Sequence, residues 1–233
     1  MQSVIDWLVR QFNITFIVDN RYKLFITGIK NTLTIVFGAV IIGVIIGAAV
    51  AIVRVYHARS GRMKFLNGIC GAYLAAFRGT PITVQLLIMY YIIFTFIQNG
   101  IVISIIAFGI NSGAYVAEIV RAGIMSVDAG QTEAGRSLGL SENKTMYLIV
   151  LPQAVKNILP TLGNEVVAML KETSVAGYAT IKDLTRAGEN VRIATAEPYF
   201  SLFFVALVYF TMVWIVTKLL KRVERRLAKS DRG

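Results

Sequence analysis

Long apolar runs constrain the fold of this chain more than any other feature. Such runs recur along the sequence, for example near 24–53, 101–123 and 198–220. Each exceeds the roughly 20 residues that a helix needs to cross a bilayer. The composition agrees, since 56% of the residues are hydrophobic and the mean hydropathy is +0.65. The sequence therefore predicts an all-α integral membrane protein whose helices cross the bilayer several times.

Five transmembrane helices account for this pattern. We place them at about 24–53, 65–97, 101–123, from Pro152 to the charged stretch beginning at Lys171, and from Pro198 to about Leu220. The second stretch is too long for one straight span and is predicted to break at Arg78-Gly79-Thr80-Pro81. Pro81 removes a backbone hydrogen bond and opposes the carbonyl of Phe77. Residues 24–220 then form the transmembrane domain.

The two ends of the chain have a different character. Residues 1–23 are mixed in polarity and are predicted to be an external, interfacial segment. Aromatic residues favour the headgroup zone of a membrane, and four are found here: Trp7, Phe12, Phe16 and Tyr22. Residues 221–233 form a basic tail that we expect in the cytoplasm.

Basic residues predict the orientation, because cytoplasmic loops carry an excess of Lys and Arg. One side is assigned fourteen: Arg54, Arg59, Arg62, Lys64, Arg121, Arg136, Lys144, Lys218, Lys221, Arg222, Arg225, Arg226, Lys229 and Arg232. The other side is assigned six: Arg10, Arg21, Lys23, Lys182, Arg186 and Arg192. The excess predicts a cytoplasmic C-terminus and an external N-terminus. The net charge of +11 is therefore interpreted as membrane topology rather than as a nucleic-acid surface.

Small residues line one face of the first span. Ala39, Gly43, Gly47 and Ala51 recur every four residues, and such a stripe lets helices pack closely in lipid. A general preference for small residues in membrane helices explains the pattern equally well.

The most informative polar segment is 128–152, DAGQTEAGRSLGLSENKTMYLIVLP. Asp128 followed by Gln131 is typical of a helix N-cap with a reciprocal partner. Gly139 is suited to end that helix in a left-handed conformation, and Ser141 can cap a second helix with Glu142 in its first turn. Pro152 is predicted to mark the next helix boundary.

This segment resembles the cytoplasmic signature loop of permease subunits of ATP-binding-cassette (ABC) importers, written EAA-x3-G-x9-I-x-LP. The matching residues are Glu133, Ala134, Gly139, Ile149, Leu151 and Pro152, and Gly135 stands where alanine is usual. The resemblance implies that Glu133, Ala134, Gly135, Gly139, Leu140 and Pro152 couple the permease to an ATPase. The small residues among them would let another surface approach closely.

Further motifs resemble the polar amino acid branch of these permeases. They are Arg78-Gly79-Thr80-Pro81, Ala114-Tyr115-Val116-Ala117-Glu118, Leu151-Pro152-Gln153-Ala154 and Leu170-Lys171-Glu172-Thr173-Ser174. The resemblance implies the type I ABC importer permease fold in a bacterial cytoplasmic (inner) membrane. The implied substrates are of the glutamine, glutamate, arginine, histidine or cystine class. The implied partners are two cytoplasmic ATP-binding subunits, a second permease subunit (identical or paralogous) and an extracytoplasmic amino-acid-binding protein.

The chain carries no motif for chemistry of its own. It lacks the G-x4-G-K-[ST] phosphate loop, so ATP hydrolysis is expected in a partner, with no cofactor and no catalytic residue in this chain. The lone His57 has no partner ligands, so no metal site is expected. A secondary transporter driven by an ion gradient is the alternative, but it predicts paired inverted repeats, and the five spans show no evident duplication.

Charged and polar residues within spans are candidates for the transport path, because they are expensive to place in lipid. Glu118 and Arg121 are three residues apart and are predicted to form a structural or gating pair. Arg78, beside the proline break, could receive a substrate carboxylate or pair with a protein carboxylate. Glu165 could receive the ammonium group, and the uncharged candidates are Thr80, Ser112 and Asn164.

Overall fold

A computed structural model describes the backbone of residues 2–229 and the side chains of residues 4–226, and all regular secondary structure in that range is helical. The helices are α1 (Gln2–Phe12), α2 (Tyr22–Ser60), α3 (Lys64–Gly79), α4 (Ile82–Ile88), α5 (Gly100–Met125), α6 (Ala129–Ser137), α7 (Glu142–Thr145), α8 (Leu151–Glu172), α9 (Leu184–Thr195) and α10 (Pro198–Lys229). π-Helical turns cover Asn13–Ile17, Met89–Ile93 and Met146–Val150, and 3-10 turns cover Val18–Asn20 and Thr173–Ala179.

Three of the described helices are long and apolar enough to cross a membrane: α2, α5 and α10. A fourth span results if α3 and the helical stretch that begins with α4 count as one span with a break. Helix α8 is 22 residues long but is not among these candidates, because polar residues such as Lys156, Asn164 and Glu165 lower its hydropathy. The all-helical class is confirmed, while the number of five spans stays a prediction.

The ends of the chain agree only in part with the predictions. Helix α1 exposes Trp7 and Phe12, as an interfacial segment should, but Phe16 is buried. Its ring packs edge-on against that of Phe204, with centroids 4.7 Å apart, so Phe16 is a core residue and not an exposed one. At the other end, the Lys229 side chain and Arg232 lie outside the described residues.

Helix α2 is longer than the predicted span. It continues to Ser60, and Gly61 follows with a φ of +66° while its N–H donates to the carbonyl of His57. Arg54 and Arg59 therefore lie on the last turns of this helix. The sequence-based prediction ends the span at about residue 53 and so places both arginines in the following loop. A helical position fixes the direction of each arginine, which a loop position would not.

Contacts between residues divide the chain into two compact units. The first comprises the chain up to Ala39 with Ile82–Phe108 and Met169–Ile215, and the second comprises Val40–Pro81, Gly109–Ala168 and the chain from Val216 onward. In the first unit an apolar core forms around the buried Phe16, Phe25 and Leu184.

Asp183 is the N-cap of α9 within that first unit. Its carboxylate accepts hydrogen bonds from the N–H of Arg186 at 2.8 Å and of Thr185 at 3.2 Å, which satisfies two N–H groups that a helix start leaves unpaired. Thr32 on α2 accepts from the N–H of Leu184 at 3.1 Å. Burial raises the pKa of Asp183, against the opposing effect of these hydrogen bonds.

In the second unit, α2 and α5 pack closely along the small-residue stripe. A Cβ on Gly47 would lie 2.5 Å from Val116 Cγ1, and one on Gly43 would lie 3.0 Å from the Ser112 hydroxyl. Ala51 is fully buried. The prediction that the stripe is a packing face is confirmed here, and the packing fixes the face of α5 that carries Ser112.

Candidate functional site

The segment between α5 and α8 is folded by local hydrogen bonds that its sequence predicts. Asp128 adopts an extended conformation (ψ 132°), and its carboxylate accepts from the N–H of Gly130 at 2.7 Å, so it is the N-cap of α6. The Gln131 side chain does not complete a reciprocal cap. Its carbonyl oxygen instead accepts from the Gln153 amide at 3.2 Å, which connects the start of α6 to α8.

Gly139 ends α6 in the predicted left-handed conformation, with a φ of +82°. The N–H of Leu140 donates to the carbonyl of Gly135 at 3.1 Å, and the N–H of Gly139 donates to that of Arg136 at 3.0 Å. These are the two hydrogen bonds of a Schellman motif. Gly139 therefore satisfies the carbonyls at the end of the helix and reverses the chain.

The second half of the segment is more continuous than predicted. Ser141 accepts from the N–H of Lys144 at 3.4 Å and so caps α7. From there the π-helical turn Met146–Val150 leads directly into α8, where Pro152 is the second residue. Pro152, predicted to mark a helix boundary, lies one residue after the start of α8. The boundary is a change from a π-helical turn to an α-helix, and proline is tolerated in the first turn of a helix.

The surface of α6 separates the predicted coupling residues into two groups. Glu133, Ala134 and Gly139 are exposed, Pro152 is exposed on α8, and Leu140 is half-buried. Gly135 is buried, and a Cβ there would lie 2.8 Å from Ile149 Cδ1 and from Thr145 Cγ2. Gly135 thus lets α6 approach the returning chain, and it is not part of the exposed surface of the segment.

The sequence does not predict that one apolar residue of this segment is exposed. Leu138 is 82% exposed although it is a large aliphatic residue. It lies between the last residue of α6 and Gly139, so the same turn that reverses the chain presents it to solvent. The only signal in the sequence is an apolar residue within an otherwise polar loop.

The predicted helix break lies between α3 and α4. Thr80 is extended (φ −125°, ψ 148°), as the residue before a proline tends to be. Its hydroxyl donates to the carbonyl of Ala76 at 2.8 Å. Pro81 has no N–H to donate to the carbonyl of Phe77. That carbonyl instead accepts from the side-chain amide of Asn111 at 3.1 Å. The break therefore satisfies its freed backbone groups with side chains.

Glu118 is the centre of a cluster of three arginines. Its carboxylate accepts from Arg121 Nη2 at 2.8 Å and Nε at 3.2 Å, so the predicted pair forms. Two further guanidinium groups lie near the same carboxylate, Arg54 at 3.9 Å and Arg78 at 4.0 Å. The cluster has more positive than negative charge.

The cluster borders a cleft of about 720 Å³. Arg78 is exposed in it, and its guanidinium lies over the ring of Tyr115, 5.6 Å from the centroid. Arg54 and Tyr115 also line the cleft, and the sequence reasoning assigned neither to a site. The arrangement offers an anion a guanidinium group and offers a cation the Glu118 carboxylate.

Glu165 lies in a different place from Arg78. The Ser112 hydroxyl donates to its carboxylate at 3.0 Å, and both residues line a mainly aliphatic cavity of about 200 Å³ together with Glu224. Asn164 is exposed and does not line this cavity. The structure thus brings Ser112 and Glu165 together, and it places Arg78 with Glu118 in a separate cleft.

Comparison with known proteins gives a consistent family. The sequence model of the binding-protein-dependent transport system inner membrane component family matches residues 43–229. The putative glutamine transport system permease protein GlnP of Rickettsia felis is 40% identical over 196 residues, which cover 81% of this chain and 86% of that protein. The arginine transport system permease protein ArtQ of Bacillus subtilis is 35% identical over 207 residues, with coverage of 88% and 92%.

Solved structures agree with these sequence relatives. A crystal structure of an amino acid ABC transporter with histidines superimposes with a TM-score of 0.82 at 39% identity, covering 91% of this chain and 98% of that one. The MetNI methionine ABC transporter, in inward-facing conformations, superimposes with a TM-score of 0.74 over 88% and 96% at 18% identity. At that identity the second match concerns the fold alone.

Proposed function

This chain belongs to the binding-protein-dependent transport system inner membrane component family, and we propose that it is the permease subunit of an ABC importer that takes up a polar amino acid. The signature segment supports the proposal, because a capped helix followed by a Schellman turn leaves Glu133, Ala134 and Leu138 exposed, where a partner subunit could bind them. Relatives named for glutamine and arginine transport support the substrate class. Glutamine, glutamate, arginine, histidine and cystine are the candidates.

The experiment is ATP-dependent uptake by the reconstituted transporter. The chain is co-purified with its ATP-binding and substrate-binding partners, and vesicles loaded with ATP are tested with each candidate amino acid. Uptake that requires ATP and the binding protein supports the proposal. Uptake driven by an imposed ion gradient without ATP would indicate secondary transport instead, which nothing in the family comparison favours.

The partner subunits follow from the family, which is the membrane component of a binding-protein-dependent system. In the proposed assembly two cytoplasmic ATP-binding subunits hydrolyse ATP, so the chain is not itself an enzyme and holds no cofactor. A second permease subunit, identical or paralogous, completes the membrane part, and an extracytoplasmic binding protein delivers the amino acid. The exposed face of α6 would transmit ATPase movement to the membrane helices as a rigid body.

The proposed topology has five spans in the bacterial inner membrane. Helices α2, α5 and α10 give three of them, the broken pair gives a fourth, and α8 gives the fifth. The mean hydropathy of α8 is too low for it to be identified as a span from composition, because it contains polar residues. Such residues are accepted in a span that faces protein or a water-filled path. The excess of basic residues assigns the signature segment and the C-terminus to the cytoplasm.

The proposed substrate path includes the cleft beside the helix break. A free amino acid carries a carboxylate and an ammonium group, and both lose hydration when they enter a membrane protein. Arg78 is suited to the carboxylate, because a guanidinium binds carboxylates through two parallel hydrogen bonds. Thr80 lies two residues further along the chain, at the break. Ser112, Asn164 and Glu165 remain candidates for a second stage of the path.

Glu118 adds a carboxylate to the same cleft, within 4.0 Å of Arg78. In the absence of an amino acid this carboxylate partly neutralises Arg78. An entering substrate carboxylate would replace Glu118 at Arg78, while Arg121 keeps Glu118 paired. The Glu118–Arg121 pair would then act as a structural or gating element, as the sequence predicts.

A further inference from the structure

A second cleft, of about 370 Å³, shares Arg54 with the one described above. The last turns of α2, the start of α3 and the end of α5 form it. Three arginines line it, Arg54, Arg59 and Arg121, together with His57. Its volume lies within the roughly 300–1,000 Å³ of sites that hold small molecules or headgroups. We call it the basic cleft.

Positive charge in the basic cleft exceeds what the nearby carboxylate can neutralise. Glu118 binds Arg121 through two hydrogen bonds and lies 3.9 Å from Arg54, so one carboxylate serves two guanidinium groups. Arg59 is exposed and adds a third. The cleft therefore attracts an anion.

The hydrogen bonding of Arg54 gives a further indication. Its Nε is buried and makes no hydrogen bond within the described part of the chain. A buried donor without an acceptor costs stability, and the Glu118 carboxylate 3.9 Å away is too distant to accept from it. The Arg54 side chain is 28% exposed, so the other donors of this guanidinium can bind an anion in the cleft. Guanidinium groups match phosphate well, because their donors form a planar fork.

Apart from Asn67, the remaining walls of the basic cleft are apolar. Val55, Ile124 and Met125 line it, and it lies at the ends of α2 and α5, which are both apolar enough to span a membrane. Where membrane-spanning helices end, a bilayer presents its phosphates with the first carbons of the lipid below them. A free phosphate would use the arginines and leave the apolar wall without a role.

We propose that the basic cleft binds the phosphate of an anionic phospholipid headgroup, in the leaflet that meets the ends of α2 and α5. Basic pockets between membrane helices are suited to anionic headgroups. The arginine stems lie along apolar surface while the guanidinium groups reach the headgroup layer. The basic cleft shares Arg54 with the cleft proposed for the amino acid, but its proposed occupant is a membrane lipid and not the transported substrate, so the inference goes beyond the transport function proposed above.

The test is a binding titration with matched variants. The full chain, purified with its partner subunits in detergent and stripped of lipid, is titrated with phosphatidylglycerol and bound lipid is counted by native mass spectrometry. Arg59→Gln removes a cation that lines the cleft and should weaken binding about five-fold, the usual effect of one basic residue at a membrane surface. Arg59→Lys keeps the charge and should weaken binding less.

Arg62→Gln is the matched control, because Arg62 lies three residues further on but does not line the cleft. It should leave the dissociation constant within about a factor of two. Equal effects of Arg59→Gln and Arg62→Gln would overturn the proposal, since binding would then reflect general surface charge.

Two further binding measurements distinguish an anionic lipid from a neutral lipid and from free phosphate. Phosphatidylcholine should bind more weakly than phosphatidylglycerol, and millimolar inorganic phosphate should not displace the bound lipid. If phosphatidylcholine binds equally well, the site does not select an anionic lipid and the proposal is wrong. If inorganic phosphate displaces the lipid fully, the ligand is free phosphate and the lipid assignment is overturned.

Discussion

Substitution of Gly139 by alanine tests the signature segment most directly. Gly139 has a φ of +82°, and no atom lies within 4 Å of the position that a Cβ would occupy. The cost of alanine is therefore confined to the backbone, because the left-handed conformation costs an L-residue about 1–2 kcal/mol. Steric contact with neighbouring side chains adds nothing.

This cost acts on the turn that presents the exposed face of α6. The two hydrogen bonds to the carbonyls of Gly135 and Arg136 depend on the left-handed residue. If the bound ATPase requires the turn as it stands, the lost free energy appears as weaker association. About 1–2 kcal/mol corresponds to roughly a 5- to 30-fold rise in the dissociation constant. Asparagine tolerates the left-handed region better than alanine does, so Gly139→Asn should cost less.

The assay is the affinity of the purified ATP-binding subunit for the permease in nanodiscs. Gly61→Ala is the matched control, because Gly61 also has a positive φ (+66°) with nothing within 4 Å of its Cβ position. It carries the same backbone cost outside the signature segment, and it should lower thermal stability without changing ATPase affinity.

Two results would refute this reasoning. An unchanged affinity for Gly139→Ala would mean that the ATPase does not bind the turn. An equal loss of affinity for Gly61→Ala would mean that the effect is general destabilisation of the permease.

Three further predictions concern topology, the substrate path and pH. Single cysteines replacing Arg226 and Arg186 should react with a membrane-impermeant thiol reagent only at position 186 in intact cells, and reaction at 226 would contradict the five-span topology. Arg78→Gln and Glu165→Gln should each lower ATP-dependent uptake at least several-fold while ATPase binding is kept, because one end of the zwitterion loses its partner; normal uptake by both would make these charges structural. Burial raises the pKa of Asp183, so its ionisation opposes folding, and thermal stability should fall as pH rises from the unfolded-chain pKa to the folded one. Asp183→Asn keeps the N-cap and should abolish that fall, whereas Asp183→Ala should cost about 1 kcal/mol; a pH dependence that persists in Asp183→Asn would refute the assignment.

The features of the signature segment that the sequence predicts are those with local causes. Asp128 and Ser141 cap helices whose first N–H groups are two or three residues away, and Gly139 ends a helix by its own conformational freedom. The orientation of Gly135 has no local cause. It depends on how Thr145 and Ile149 return against α6, which is a matter of tertiary packing.

The same distinction between local causes and tertiary packing explains which charged pairs the sequence predicts. Glu118 and Arg121 are three apart on one helix, so their pairing follows from helix geometry. Arg78 has the same carboxylate as a neighbour at 4.0 Å, but the two residues lie on α3 and α5. The sequence indicates only that Arg78 could pair with a carboxylate near the break. It does not indicate whether that carboxylate is Glu118 or Glu165. The packing of α3 on α5 makes that choice, with Leu74 and Ala114 in one apolar cluster.

The helix break shows how a local prediction and a tertiary contact complete each other. Pro81 predicts that the carbonyl of Phe77 loses its helical donor, and an unpaired carbonyl in a membrane protein costs several kcal/mol. The sequence does not say which group replaces that donor. In the structure it is the Asn111 amide, on α5 at 3.1 Å, one residue before Ser112 with its hydrogen bond to Glu165. Two neighbouring residues of α5 thus bind different elements: Asn111 donates to the carbonyl freed at the break, and Ser112 donates to Glu165 on α8. A displacement of α5 at this turn would therefore disturb both candidate parts of the substrate path.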